Sequence, residues 1–134
     1  MANSVTTQTV IDGPRHVIIK FEGVLDTSDV SSMTVVDPAL LSDMNINGIK
    51  ASQLRIDKIV FDVEDTLSVN LFWDATTPVR IWELAGRGKI DARHYGGMQN
   101  NSTTGKTGKI TATTQGWAAS SILSFVVILE CVKQ

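Results

Sequence analysis

The sequence predicts an all-β domain, an antiparallel β-sandwich or jelly-roll-like barrel of about seven to eight short strands. Three observations carry that expectation. Thr, Val and Ile outnumber Glu, Lys and Ala, a bias that suits a pleated surface better than a helix. Apolar residues recur with period two over short runs, and Gly, Pro, Asn and Asp mark turns between the runs.

Residues 1–14 are rich in Thr, Ser, Gln and Asn and close on the turn signal Asp12-Gly13-Pro14. They read as an extended N-terminal arm, with residues 15–134 forming a single β-sandwich domain. The arm is either a frayed terminus or a segment ordered on a neighbouring subunit. From His16 to Val24, Val17, Ile19 and Phe21 alternate with Ile18, Lys20 and Glu22, the pattern of a first strand. A second β-prone run covers Met33 to Val36. Asp37-Pro38 then combines an N-cap with proline at the first helical position, so PALLSD is expected to make about one helical turn. Asn47-Gly48 suits the two positive-φ positions of a type I′ hairpin turn.

The runs QLRIDKIVFDVED and TLSVNLFWDA, joined at Glu64-Asp65, are expected to pair as an antiparallel hairpin. In the first, the apolar parity switches between Leu54 and Ile56 on one side and Ile59, Phe61 and Val63 on the other, which a β-bulge near Asp57-Lys58 would produce. In the second, Leu67, Val69, Leu71 and Trp73 share a core-facing row. VRIWELAG reads as a further strand, followed by a long, partly irregular, glycine-punctuated connection over 85–108. KITATTQ is a Thr-rich strand ending at a turn on Gly116. SILSFVVILECVK is apolar on both parities, so it belongs at the centre of a sheet or is covered on both faces.

Composition narrows the function. The chain has 134 residues and a net charge of −2 with no basic cluster, which disfavours nucleic acid as a partner. The N-terminus lacks the cationic and apolar regions of a secretory signal and reads as mature sequence. The longest apolar run, Phe125 to Leu129, falls far short of the roughly 20 residues a membrane-spanning helix needs, so no membrane association is expected. A single cysteine, Cys131, cannot close an internal disulfide and fits synthesis in a reducing cytoplasm.

Motifs for chemistry are incomplete. Gly105-Lys106-Thr107 ends like a phosphate-binding loop, but position 100 is Asn where the motif needs Gly, and the residues that follow are β-prone rather than helical. His16 and His94 lie in no metal-ligating spacing. Asp26, Asp29, Asp74, Glu83 and Asp91 supply carboxylates at loop and edge positions, with no separation legible for a glycosidase pair. No Gly-x-Ser-x-Gly elbow is present, and Cys131 lies in the most hydrophobic strand. Asn101-Ser102-Thr103 matches a glycosylation sequon, which means nothing without secretion. The expectation is a chain that is not an enzyme and uses no cofactor or metal. Of the three tryptophans, Trp73 sits in a core row, Trp82 is open between core and interface, and Trp117, in a loop, suits an interface or rim anchor.

Trp73-Asp74-Ala75-Thr76, the stretch Tyr95-Gly96-Gly97-Met98-Gln99-Asn100-Asn101, the run Thr104 to Ile110 and the closing aliphatic strand together resemble small virion-associated structural proteins of tailed bacteriophages. The resemblance covers the second half well and the first half in layout. It implies a capsid decoration or cement protein on the outer surface of the phage head, made in the host cytoplasm and bound to the major capsid protein. It also implies association with copies of itself, with a trimer as the first expectation. A head-fibre or tail-associated module that binds host carbohydrate through Trp82 or Trp117 is the alternative. Gly96-Gly97 and Asn100-Asn101 are expected as turn determinants. The gripping residues expected are Val5, Val10 and Ile11 in the arm, Tyr95 and Met98 in the 85–108 loop, and Trp82 and Trp117.

Overall fold

In the computed structural model, which describes residues 3–44 and 48–134, the chain is a two-layer β-sandwich. The described strands are β1 (Ser4–Asp12), β2 (His16–Leu25), β3 (Met33–Val36), β4 (Leu54–Val63), β5 (Ser68–Trp73), β6 (Val79–Leu84), β7 (Arg87–Asp91), β8 (Ile110–Gln115) and β9 (Leu123–Lys133). They form a five-stranded sheet, β1-β2-β9-β4-β7, and a four-stranded sheet, β3-β8-β5-β6, with every pairing antiparallel. The two sheets do not close into a barrel.

The core lies between the layers, where Val17, Ile19, Phe21 and Leu25 of β2 and Phe125, Val127, Leu129 and Cys131 of β9 meet Val69, Leu71 and Trp73 of β5 and Ile110 and Ala112 of β8. Phe21 and Phe125 pack edge-to-face with ring centroids 5.8 Å apart. Gly23 makes room for them. A Cβ there would stand 2.9 Å from the Phe125 ring and 3.1 Å from Val5.

β9 is central in its sheet, between β2 and β4. Its second apolar row, Val126 and Ile128, lies half-buried on the outer face, flanked by Lys20 and Glu22 of β2 and Val60 and Asp62 of β4. The bulge in β4 falls where the parity switch places it, between Ile56 and Lys58, and Asp57 is the extra residue. Asp37 caps the short 3-10 turn Pro38–Leu40, its Oδ1 accepting from the Ala39 N–H at 3.0 Å. Gly48 has φ 76°, but Asn47, the other half of the expected hairpin turn, lies outside the described residues.

Three expectations change. β4 and β5 are not a hairpin. A turn in which the Leu67 N–H donates to the Glu64 carbonyl at 3.0 Å carries the chain from one sheet to the other, and β4 pairs with β9 and β7. The inward rows on the two sides of that turn, Ile59 and Val63 against Leu67 and Val69, thus face each other across the core, and β9 gains the second apolar neighbour its inner row requires. The 85–108 connection is more regular than its glycines suggest, holding β7 and a 3-10 turn, Arg93–Tyr95. Residues 4–12 are an integral edge strand on β2 rather than an arm separate from the sandwich.

Candidate interaction surface

Polar side chains hold β1 in place at both ends. Asn3 Oδ1 accepts from the backbone N–H groups of Asp26 and Thr27, each at 3.1 Å. At the far end the Lys133 ammonium, its side chain 0% exposed, donates to Asp12 Oδ1 at 2.8 Å and to the Ser42 carbonyl at 2.7 Å. Burial opposes the charged form of Asp12, but the bonds from Lys133, the Ser42 N–H and the Ser42 hydroxyl outweigh it and hold the carboxyl below its ordinary range. Between these anchors β1 is nearly all exposed. Val5 alone is half-buried, packing on the core opposite Gly23.

Val10 and Ile11, 52% and 49% exposed, lie at a bulge where the register of β1 shifts. Leu40, 83% exposed, flanks the inward side of β1 together with Thr7 and Thr9, over a cleft of about 280 Å³ floored by Ile19, Val35 and Leu41. Sequence reasoning missed Leu40. The signal was the pair Leu40-Leu41 in a single turn, of which only Leu41 reaches the core.

At the opposite edge of the same sheet, Tyr95 is exposed, whereas Met98 is half-buried and bridges to Ile56 through two backbone hydrogen bonds of 2.7 and 3.0 Å. Gly96 and Gly97 adopt φ of 83° and 88°, as a reversal there requires, and Asn100 Oδ1 accepts from the N–H of Ser102 at 3.0 Å. Trp82 stands on the outer edge strand of the smaller sheet, 43% exposed and registered opposite Leu71. Trp117 is half-buried against the core, its indole N–H shared between the carbonyls of Leu25 at 3.2 Å and Ser121 at 3.1 Å. The seven residues singled out from the sequence therefore do not converge. Val10, Ile11, Tyr95 and Trp82 sit exposed on three separate edges, while Val5, Met98 and Trp117 pack inward.

No protein family, curated protein or solved structure matches the chain.

Three of the carboxylates considered for chemistry have structural partners. Asp29 accepts from Thr114 Oγ1 and the Trp117 N–H, each at 3.1 Å, and Asp74 accepts from Thr107 Oγ1 at 2.7 Å. Asp91 is held well below the carboxylate range, first by the side-chain hydrogen bonds from Arg93. Residues 104–109 run into β8 rather than a helix, so the Lys106 loop has no helix N-terminus to offer a phosphate. The Cys131 thiol is pushed up to about 12, chiefly by burial, with the Asp57 and Glu130 carboxylates adding to it. Among the described residues no three His, Cys, Asp or Glu side chains cluster to hold a metal.

The outer face of the larger sheet carries ion pairs of mixed sign: Lys20–Glu22, Lys58–Glu130, Arg87–Asp62 and Arg93–Asp91. Between them lie Ile18, Val60, Val126 and Ile128.

Proposed function

We propose that this chain is a non-enzymatic structural protein of a phage virion, a decoration or cement protein that binds the major capsid protein on the outside of the head and stabilises it. The observation that carries the reading is the distribution of exposed apolar side chains. Val10 and Ile11, Tyr95, and Trp82 stand on three different edges of one small sandwich. A domain with attachment points on several sides can bridge neighbouring subunits of a lattice, and modest contacts made together give high avidity. The near-neutral charge suits a position away from packaged nucleic acid.

The test compares heads assembled with and without the protein. Heads lacking it are expected to release DNA at a lower temperature and to recover when purified protein is added back. Addition of Val10→Ser/Tyr95→Ser/Trp82→Ser protein should fail to restore them. Heads that do not bind the wild-type protein would refute the reading. The carbohydrate alternative rests on Trp82, which is 43% exposed, since Trp117 packs half-buried against the core. Glycan-array binding abolished by Trp82→Ala would favour it.

A further inference from the structure

We infer that β1 is a self-association edge, and that two copies of this chain pair antiparallel through β1 about a two-fold axis to make one continuous ten-stranded sheet. A sheet edge offers unpaired N–H and C=O groups to any chain that can lie beside it, and stable proteins guard such edges with charge, shortness or distortion. Three of the four edges here are guarded. β7 is five residues long and carries Arg87, Lys89 and Asp91. β6 carries Arg80 and Glu83, and β3 has only four residues. β1 runs nine residues, carries no charge from Ser4 to Ile11, stays in regular register over Ser4–Thr9 before its single bulge, and is fastened at its two ends by Asn3 and Asp12.

The occupant is a second β1 because the edge suits itself. Thr and Gln rows meet without like-charge repulsion, and cross-strand Thr pairs are favourable in antiparallel ladders. A two-fold pairing also covers what one copy leaves bare. Leu40 faces the inward side of β1 beside Thr7 and Thr9, so each copy's Leu40 meets the inward row of the other copy's strand. The bulge at Val10 limits the regular run to Ser4–Thr9. Once two copies have paired, only guarded edges remain, so assembly closes at a dimer rather than growing into a fibre. This replaces the trimer expected from the sequence, and it stands apart from the capsid reading, because solution assembly and head binding are measured separately.

The test is sedimentation equilibrium of the full chain from micromolar to submillimolar concentration, with three variants. The wild type should be a dimer. Thr6→Lys/Gln8→Lys, which opposes lysines across the axis at exposed positions, should be a folded monomer with an unchanged circular dichroism spectrum. Leu40→Ser should weaken dimerisation on the order of a hundredfold, since two exposed leucines lose their cover per dimer. Geometry is read from spin labels on Ser4→Cys, Thr6→Cys and Gln8→Cys, with the buried Cys131 left unlabelled. In an antiparallel two-fold pair the distance between labels changes by about 7 Å for each residue stepped away from the axis. A wild-type monomer, a trimer, a dimer indifferent to the lysines or to Leu40→Ser, or equal label distances at all three positions would overturn the inference.

Discussion

Asp12→Ala tests what fastens β1 to the sandwich. The substitution leaves the Lys133 ammonium with no exposed surface and, among the described residues, only the Ser42 carbonyl and hydroxyl, at 2.7 and 3.1 Å, as acceptors. Stranding a fully buried charge costs about 3–5 kcal/mol. A quarter of the Asp12 side chain already faces water, 26% by area, so the attraction is partly screened and the expected loss is about 2–3 kcal/mol. Lys133→Met removes the ammonium instead. Asp12 then keeps the Ser42 N–H at 2.8 Å, the Ser42 hydroxyl and its solvent, so the loss should be about 1 kcal/mol. In the double variant neither charge is stranded, and the loss should stay near 1–2 kcal/mol, below the sum of the single losses by roughly 2 kcal/mol. The assay is guanidinium unfolding followed by tryptophan fluorescence at pH 7 and one low protein concentration. If the two single losses simply add in the double variant, the pair is not coupled and the argument for its role is wrong.

Acid should reveal the same carboxylate. Because the folded-state pKa of Asp12 lies below its ordinary value of 3.8, its stabilisation is fully present above that value and fades as pH falls through the folded pKa; urea midpoints from pH 7 downward should show a fall near and below pH 4 that is smaller in Asp12→Asn. Gly23→Ala should destabilise by roughly 1–3 kcal/mol, because its Cβ would press on the Phe125 ring and Val5, and Phe125→Leu should recover part of that loss in calorimetry. Cys131, with its thiol raised to about 12, should fail to react with a disulfide reagent at pH 8 in the native protein and react fully in denaturant; rapid native labelling would contradict its burial.

Period-two patterning was enough to locate most of the strands, because one face of each is buried. The run from His16, Met33–Val36, the bulge at Asp57 and the aliphatic closing strand all read directly. Pairing was less legible. Whether two adjacent runs fold back in one sheet or cross to the other depends on which neighbours the central strand recruits, and β4 is claimed by β9 through contacts distant in sequence. β7 was obscured because Arg87, Gly88 and Lys89 leave no apolar row to count. β1 resembles a free arm in the sequence for a related reason. Its stabilisation comes from backbone pairing and from Asn3, Asp12 and Lys133 rather than from an apolar face, and a terminal lysine gives no hint that it will be buried. Residue type alone marks Val10, Ile11, Trp82 and Tyr95 as contact residues, and their dispersal over three edges is a product of topology that local sequence does not encode.

The position of β9 also sets the order of events during synthesis. The strand at the middle of the larger sheet is made after both strands it joins, and its register sets Val17 beside Cys131 and Leu54 beside Lys133. Until residue 133 has left the ribosome, β2 and β4 each expose an apolar row and an unpaired edge with no partner to fill the gap. The larger sheet therefore closes only after those residues emerge, through long-range pairing that is slow to form. Overexpression should accordingly favour aggregation of nascent chains over aggregation of the finished protein, and slower synthesis at low temperature should raise the soluble yield.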